Sequence, residues 1–179
     1  MNTPAFVQAI YDSGIAMWMR GSLKAMPLIE ATHVLAIATV FGTIFIVDLR
    51  LLGLAGTNRP YSGVARDMLG KTWAAFIVAV ITGMLLVTPN AITYYVNTAF
   101  RLKLLALLLA GINMVVFQVL TARTMSQWDT SPRPPGAART AAIISLLLWT
   151  AIIFLGRWIG FTKGYDFAVP EDVQFEFPQ

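Results

Sequence analysis

Four long stretches of this chain are almost free of ionisable residues, and that spacing constrains its fold more than any other feature. A backbone in hydrocarbon must satisfy its own hydrogen bonds, so apolar runs of this length fold as membrane-spanning helices. The first run lies between Lys24 and Asp48, where only Glu30 and His33 can ionise. At 1.5 Å per residue it makes roughly 35 Å of helix, enough to cross a hydrocarbon core of about 30 Å. The predicted spans cover about 25–50, 68–88, 101–122 and 138–161. Lys103, in the first turn of the third, is free to snorkel to the interface, and Arg157 near the end of the fourth is expected to snorkel or to pair with an acidic residue. Only 12% of the residues are charged, about half the share of a soluble domain.

The flanking segments read as interfacial or loop. Residues 1–22 form a mostly apolar stretch interrupted by Gln8, Asp12 and Ser13, too short for a comfortable span and predicted as one interfacial helix that Thr3 caps. No basic residue precedes Arg20, which argues against a cleavable signal peptide. Asn58-Arg59-Pro60 and Ser62-Gly63 mark a first loop, residues 91–100 an aromatic connector, and Gln127–Arg139 a proline-rich second loop. Residues 162–179 make an acidic, aromatic tail. Four spans put both termini on one side of the membrane. The loops after spans one and three hold Arg50, Arg59, Arg66, Lys71, Arg123, Arg133 and Arg139, against Arg20, Lys24, Arg101, Lys103, Arg157 and Lys163 on the terminal side. This small excess points the termini, and the tail, to the extracytoplasmic side. The net charge of +4 comes from basic residues at segment ends, which suits anionic headgroups and not nucleic acid.

An ionisable pair inside a span is a functional-site hypothesis by default. Met26, Glu30, His33, Ile37, Phe41, Ile44 and Asp48 share one stripe of the first span, polar at its ends and apolar in its middle. Imidazole is a common ligand of metals and of haem iron, and thioether sulfur beside it suits Cu(I). The candidate metal set is therefore His33, Glu30 and Met26, with Met17 and Met19 upstream. His33 is also the candidate cofactor ligand for haem b. One histidine cannot supply both axial ligands of a bis-histidine haem, so that site would need a homo-oligomer interface, a Met ligand or a partner protein. The bland alternative is that Glu30 and His33 bond to each other, or to Asn113, Gln118 or a backbone carbonyl of another helix, and hold the bundle together. A proton path from His33 to Asp48 must bridge about 22 Å of apolar helix face, which weakens it. Thr32, Thr39 and Thr43 are expected to bond carbonyls one turn back, and Gly83, Gly111 and Gly156 to permit close helix packing. No cysteine, phosphate loop or nucleophile motif is present, so no hydrolase, NTPase or thiolate metal site is expected.

The run Glu30-Ala31-Thr32-His33-Val34-Leu35-Ala36, with Phe41-Gly42-Thr43 and Asp48-Leu49-Arg50-Leu51-Leu52-Gly53, resembles the signature of an uncharacterised family of small bacterial inner-membrane proteins. The likeness implies a multi-pass protein of the bacterial inner membrane and carries no activity. His33 with Gly42, Ile81-Thr82-Gly83, and Lys103-Leu104-Leu105 through Asn113 also resemble the membrane domain of copper-resistance protein D. That likeness implies copper uptake, and only His33 transfers as a candidate ligand.

The expected fold is an all-α integral membrane bundle of four transmembrane helices, preceded by an interfacial helix. The expected function is non-enzymatic: copper, or less so haem, is held at His33 with Glu30 and Met26 and passed to or from an extracytoplasmic partner. A cofactor-free accessory subunit that docks another protein is the alternative.

Overall fold

A computed structural model describes residues 3–162 of the chain, and all regular structure among them is helical. Four helices are long and apolar enough to cross a membrane. They are α3 (Ala25–Leu52), α4 (Tyr61–Val87), α6 (Thr98–Val116, continued by a π-helical stretch over Phe117–Thr121) and α8 (Gly136–Thr162). The chain is a multi-pass membrane protein. The acidic, aromatic tail expected on the extracytoplasmic side falls, from residue 163 on, beyond the described residues.

Two short helices come first: α1 (Ala5–Tyr11) and α2 (Gly14–Gly21). The single interfacial helix expected over residues 1–22 is thus broken at Asp12–Ser13. Ser13 explains the break, because its hydroxyl oxygen accepts the Ala16 amide at 3.3 Å and starts a new helix. Pro4, not Thr3, is the N-cap of α1. Arg20 ties the pair to the far end of α4. Its guanidinium donates to the carbonyls of Tyr11 (3.0 Å) and Pro89 (3.2 Å) and sits 4.2 Å over the Tyr11 ring. Val7, Ala16 and Met19 are buried by this docking, while Phe6, Ile15, Met17 and Trp18 stay exposed.

A 3-10 turn (Thr88–Asn90) and α5 (Ala91–Val96) connect α4 to α6. Asn97 caps α6, its side-chain oxygen accepting the Phe100 amide at 3.0 Å, and its amide group donates to Thr162 on α8 at 3.1 Å. After the π stretch, a 3-10 turn and α7 (Met125–Trp128) lead into α8.

The helices pack as a row, α4 against α3, α3 against α8, and α8 against α6. In lipid there is little hydrophobic drive between helices, so close approach depends on small residues and interhelical hydrogen bonds. Both are present. Ala138 and Ala142 of α8 are fully buried, in a cluster with Leu51, Tyr61, Phe117 and Trp128. Ala106 and Ala110 of α6 pack on Ile152 of α8. Thr72 of α4 donates to Thr43 of α3 at 2.8 Å, and Asn113 of α6 donates to the Ala141 carbonyl of α8 at 3.0 Å. The α4–α6 pair is not among the close backbone approaches; Tyr61 and Phe117 bridge it edge to face at 6.0 Å.

The loops at the Arg50 end are knitted together. Gly53 ends α3 in the left-handed conformation (φ 74°), and a Cβ there would lie 2.7 Å from the Pro132 carbonyl oxygen. Arg50, 1% exposed, donates to the carbonyls of Arg59 (2.9 Å), Asp129 (3.2 Å) and Ser131 (3.2 Å). Asp129 in turn caps α4 from a distance, accepting from the Ser62 amide and hydroxyl, both at 2.7 Å. That cap is why α4 starts at Tyr61, and why Ser62 and Gly63 are helical and not loop. Hydrogen bonds from Ser62, first its amide and then its hydroxyl, hold the Asp129 carboxyl below the usual carboxylate range, with Arg50 adding to the effect.

Candidate functional site

The interior polar group nearest the α2 end is built on His33. α3 turns its imidazole towards α4, where Nδ1 lies 2.9 Å from the Thr82 hydroxyl. The Thr82 hydroxyl hydrogen is committed to the Val78 carbonyl at 2.6 Å. Nδ1 is therefore the donor, and the remaining lone pair is on Nε2. The ring edge points into a notch: a Cβ on Gly83 would come within 3.0 Å of Cε1. The Ala79 carbonyl lies beside it as a further acceptor. Of the partners expected from the sequence (Glu30, Asn113, Gln118 or a backbone carbonyl of another helix), only the last has a counterpart here, the Ala79 carbonyl; Thr82 was not expected, being indistinguishable in sequence from any back-bonding threonine.

Glu30 is exposed one turn away, within electrostatic reach of His33 and Tyr94 but without a hydrogen bond to the ring. Met26 is half-buried; Met19 is a core residue of α2, and Met17 is exposed. Among the described residues, no group of three His, Cys, Asp or Glu side chains is gathered where it could hold a metal ion.

Lys103 does not snorkel. It is half-buried, and its Nζ lies 3.4 Å from where a Cβ on Gly156 would sit, with no hydrogen bond or ion pair among the described residues. Its charge acts on His33 from across the bundle. Two of the three glycines expected to bring helices together are thus receptacles for polar side chains: Gly83 for His33 and Gly156 for Lys103. The third, Gly111, has open space where a Cβ would be. Arg157 is exposed, its guanidinium 5.6 Å from the Phe161 ring. Thr32, Thr39 and Thr43 bond the carbonyls of Leu28, Leu35 and Thr39, as expected.

Asp48 belongs to the opposite end of α3. It is 5% exposed and faces Ser145 of α8, and its Oδ2 has no hydrogen-bond partner among the described residues. With the buried side chains of Ala36 and Val40 on the intervening stretch, the structure does not bring it to the His33 group. Burial of Asp48 and Arg50 was not legible in the sequence, where Asp48 bounds the first apolar run and Arg50 counts among the loop cations.

Residues 19–162 match the family described as Family of unknown function (DUF6644), and the chain belongs to that family. The match takes in the end of α2 and all four long helices. No curated protein and no solved structure matches the chain.

Proposed function

We propose that this is a non-enzymatic membrane protein that binds a metal centre through Nε2 of His33, copper in preference to haem b, and exchanges it with a partner. The observation that carries the reading is the oriented imidazole. Its Nδ1–H is spent on Thr82, whose own proton is spent on Val78, which leaves Nε2 as the one basic nitrogen. Fixing a ligating histidine by a hydrogen bond at its other nitrogen is the usual support of a metal site. Glu30 and Met26, on the same face of α3, are the side chains that would complete the set. Copper-binding titrations of the full-length protein against a Cu(I) indicator test this, together with a visible spectrum before and after dithionite. Wild type is expected to bind one Cu(I) per chain or a homodimer, His33→Ala none, and Thr82→Val about 10–100-fold more weakly. A Soret band instead of copper binding would make the centre haem.

The Lys103 charge acting on His33 favours a second reading, because an ammonium within electrostatic reach opposes an added cation. In that reading His33–Thr82 is an interhelical tie in a cofactor-free subunit. Such ties contribute about 0.6 kcal/mol each, and up to ~1.7. Unchanged copper and haem content in His33→Ala, with only stability lost, decides for it.

A further inference from the structure

The row arrangement of the helices leaves a groove of about 470 Å³ between α4 and the π-helical stretch of α6, at the Arg50 end of the bundle. Its chemistry changes along its length. Ser62, Arg66 and Gln118 line the end near the loops, and Leu69, Gly70 and Trp73 line the part that runs down α4. Arg66 to Trp73 spans about 10 Å of helix. Tyr61 and Phe117 form its back wall, the edge-to-face pair that joins the two helices.

Three observations give the groove an occupant. Arg66 is exposed and has no hydrogen bond or ion pair among the described residues; the neighbouring carboxylate of Asp67 is taken by Arg59 at 2.7 Å. Gln118 is likewise exposed without a hydrogen-bond partner, projected by a π-helical turn, a distortion that recurs at functional sites. The floor is open, since a Cβ on Gly70 would meet nothing within 4 Å. A polar, cationic mouth above an apolar trough parallel to the helix matches an amphiphile lying as the bilayer lipids lie. A second groove, lined by Asn97, Leu102, Phe154 and Trp158, has no cationic residue in its wall among the described residues. We propose that the α4–α6 groove binds one anionic phospholipid of the bilayer, its phosphate at Arg66 and Gln118 and an acyl chain along Leu69, Gly70 and Trp73. Basic pockets between transmembrane helices near the interface are the usual form of such sites.

The test is native mass spectrometry of the full-length protein, titrated in detergent with phosphatidylglycerol or phosphatidylcholine. Wild type is expected to retain one phosphatidylglycerol in preference to phosphatidylcholine. Arg66→Gln should lower that preference about fivefold, the weight of one basic side chain at an anionic headgroup. Lys71→Gln, which removes an exposed charge outside the groove, should leave it unchanged. Gly70→Leu fills the trough with a better helix former, so the helix is kept while retention of the bound lipid falls. Equal retention of the two lipids by wild type would overturn the proposal. So would equal losses in Arg66→Gln and Lys71→Gln, which would mean diffuse surface attraction, or full retention in Gly70→Leu, which would place no acyl chain in the trough.

Discussion

Replacing Asp129 by Ala should weaken the fold through a helix that starts more than sixty residues earlier in the chain. Pro60 precedes α4 and offers no side-chain cap, so the orphan amide of Ser62 relies on the Asp129 carboxylate. The Ser62 hydroxyl relies on it as well. Removing a helix cap costs about 0.5–2 kcal/mol. Two short, charge-assisted bonds push the loss towards the top of that range, and the partly exposed position of Asp129 pulls it back. The tie between the Tyr61 amide and the Asp129 carbonyl, 2.9 Å, is backbone and survives. The expected loss is about 1–2 kcal/mol, a factor of roughly 5–30 in the folding equilibrium. Reversible SDS titration in mixed micelles, followed by tryptophan fluorescence, measures it. Asp129→Asn keeps one acceptor for the Ser62 amide and should lose about half as much. The pH dependence supplies the sign. The folded carboxyl titrates below its unfolded value, so the native state binds fewer protons and its advantage is complete above about pH 4. The gap between wild type and Asp129→Asn should therefore be level from neutral pH down to that point and close as pH falls further. Identical SDS midpoints for wild type and Asp129→Ala, or a gap that widens in acid, would refute the reasoning.

Gly53→Ala combines a left-handed backbone, about 1–2 kcal/mol for an L side chain, with a methyl 2.7 Å from the Pro132 oxygen. The sum should be about 2–4 kcal/mol in the same SDS titration. Arg50→Met strips the donor from three loop carbonyls and should cost about 3 kcal/mol or more, with proteolysis appearing first between residues 53 and 60. Arg50→Lys, one point charge in place of a fork, should recover only part of it. Gly111→Ala should stabilise by up to about 1 kcal/mol, because a Cβ there meets open space, whereas Gly83→Leu must displace the His33 ring and break its bond to Thr82. A destabilised Gly111→Ala would show that this face of α6 is occupied in the membrane.

The spacing of charges determined the number of spans and their approximate extents, because hydrocarbon tolerates neither loose backbone nor unpaired charge. Back-bonding threonines were equally legible, since their partners lie one turn away on the same helix. Placing His33 inside the first span was legible for the same local reason. Its partner was not: Thr82 is 49 residues away, and only the packing of α3 on α4 selects it over other hydroxyls. The same holds for Lys103, whose sequence position at a span end permits snorkelling but whose side chain is drawn inward to Gly156. Tertiary structure alone decided that Asp48 and Arg50, two residues apart at the end of the first predicted span, are both buried. A helix turns 100° per residue, so they leave α3 on opposite sides. One faces α8, and the other reaches the carbonyls of two loops. Local sequence sets where a helix lies relative to the bilayer, and long-range packing sets which of its faces meets another helix, a loop or lipid.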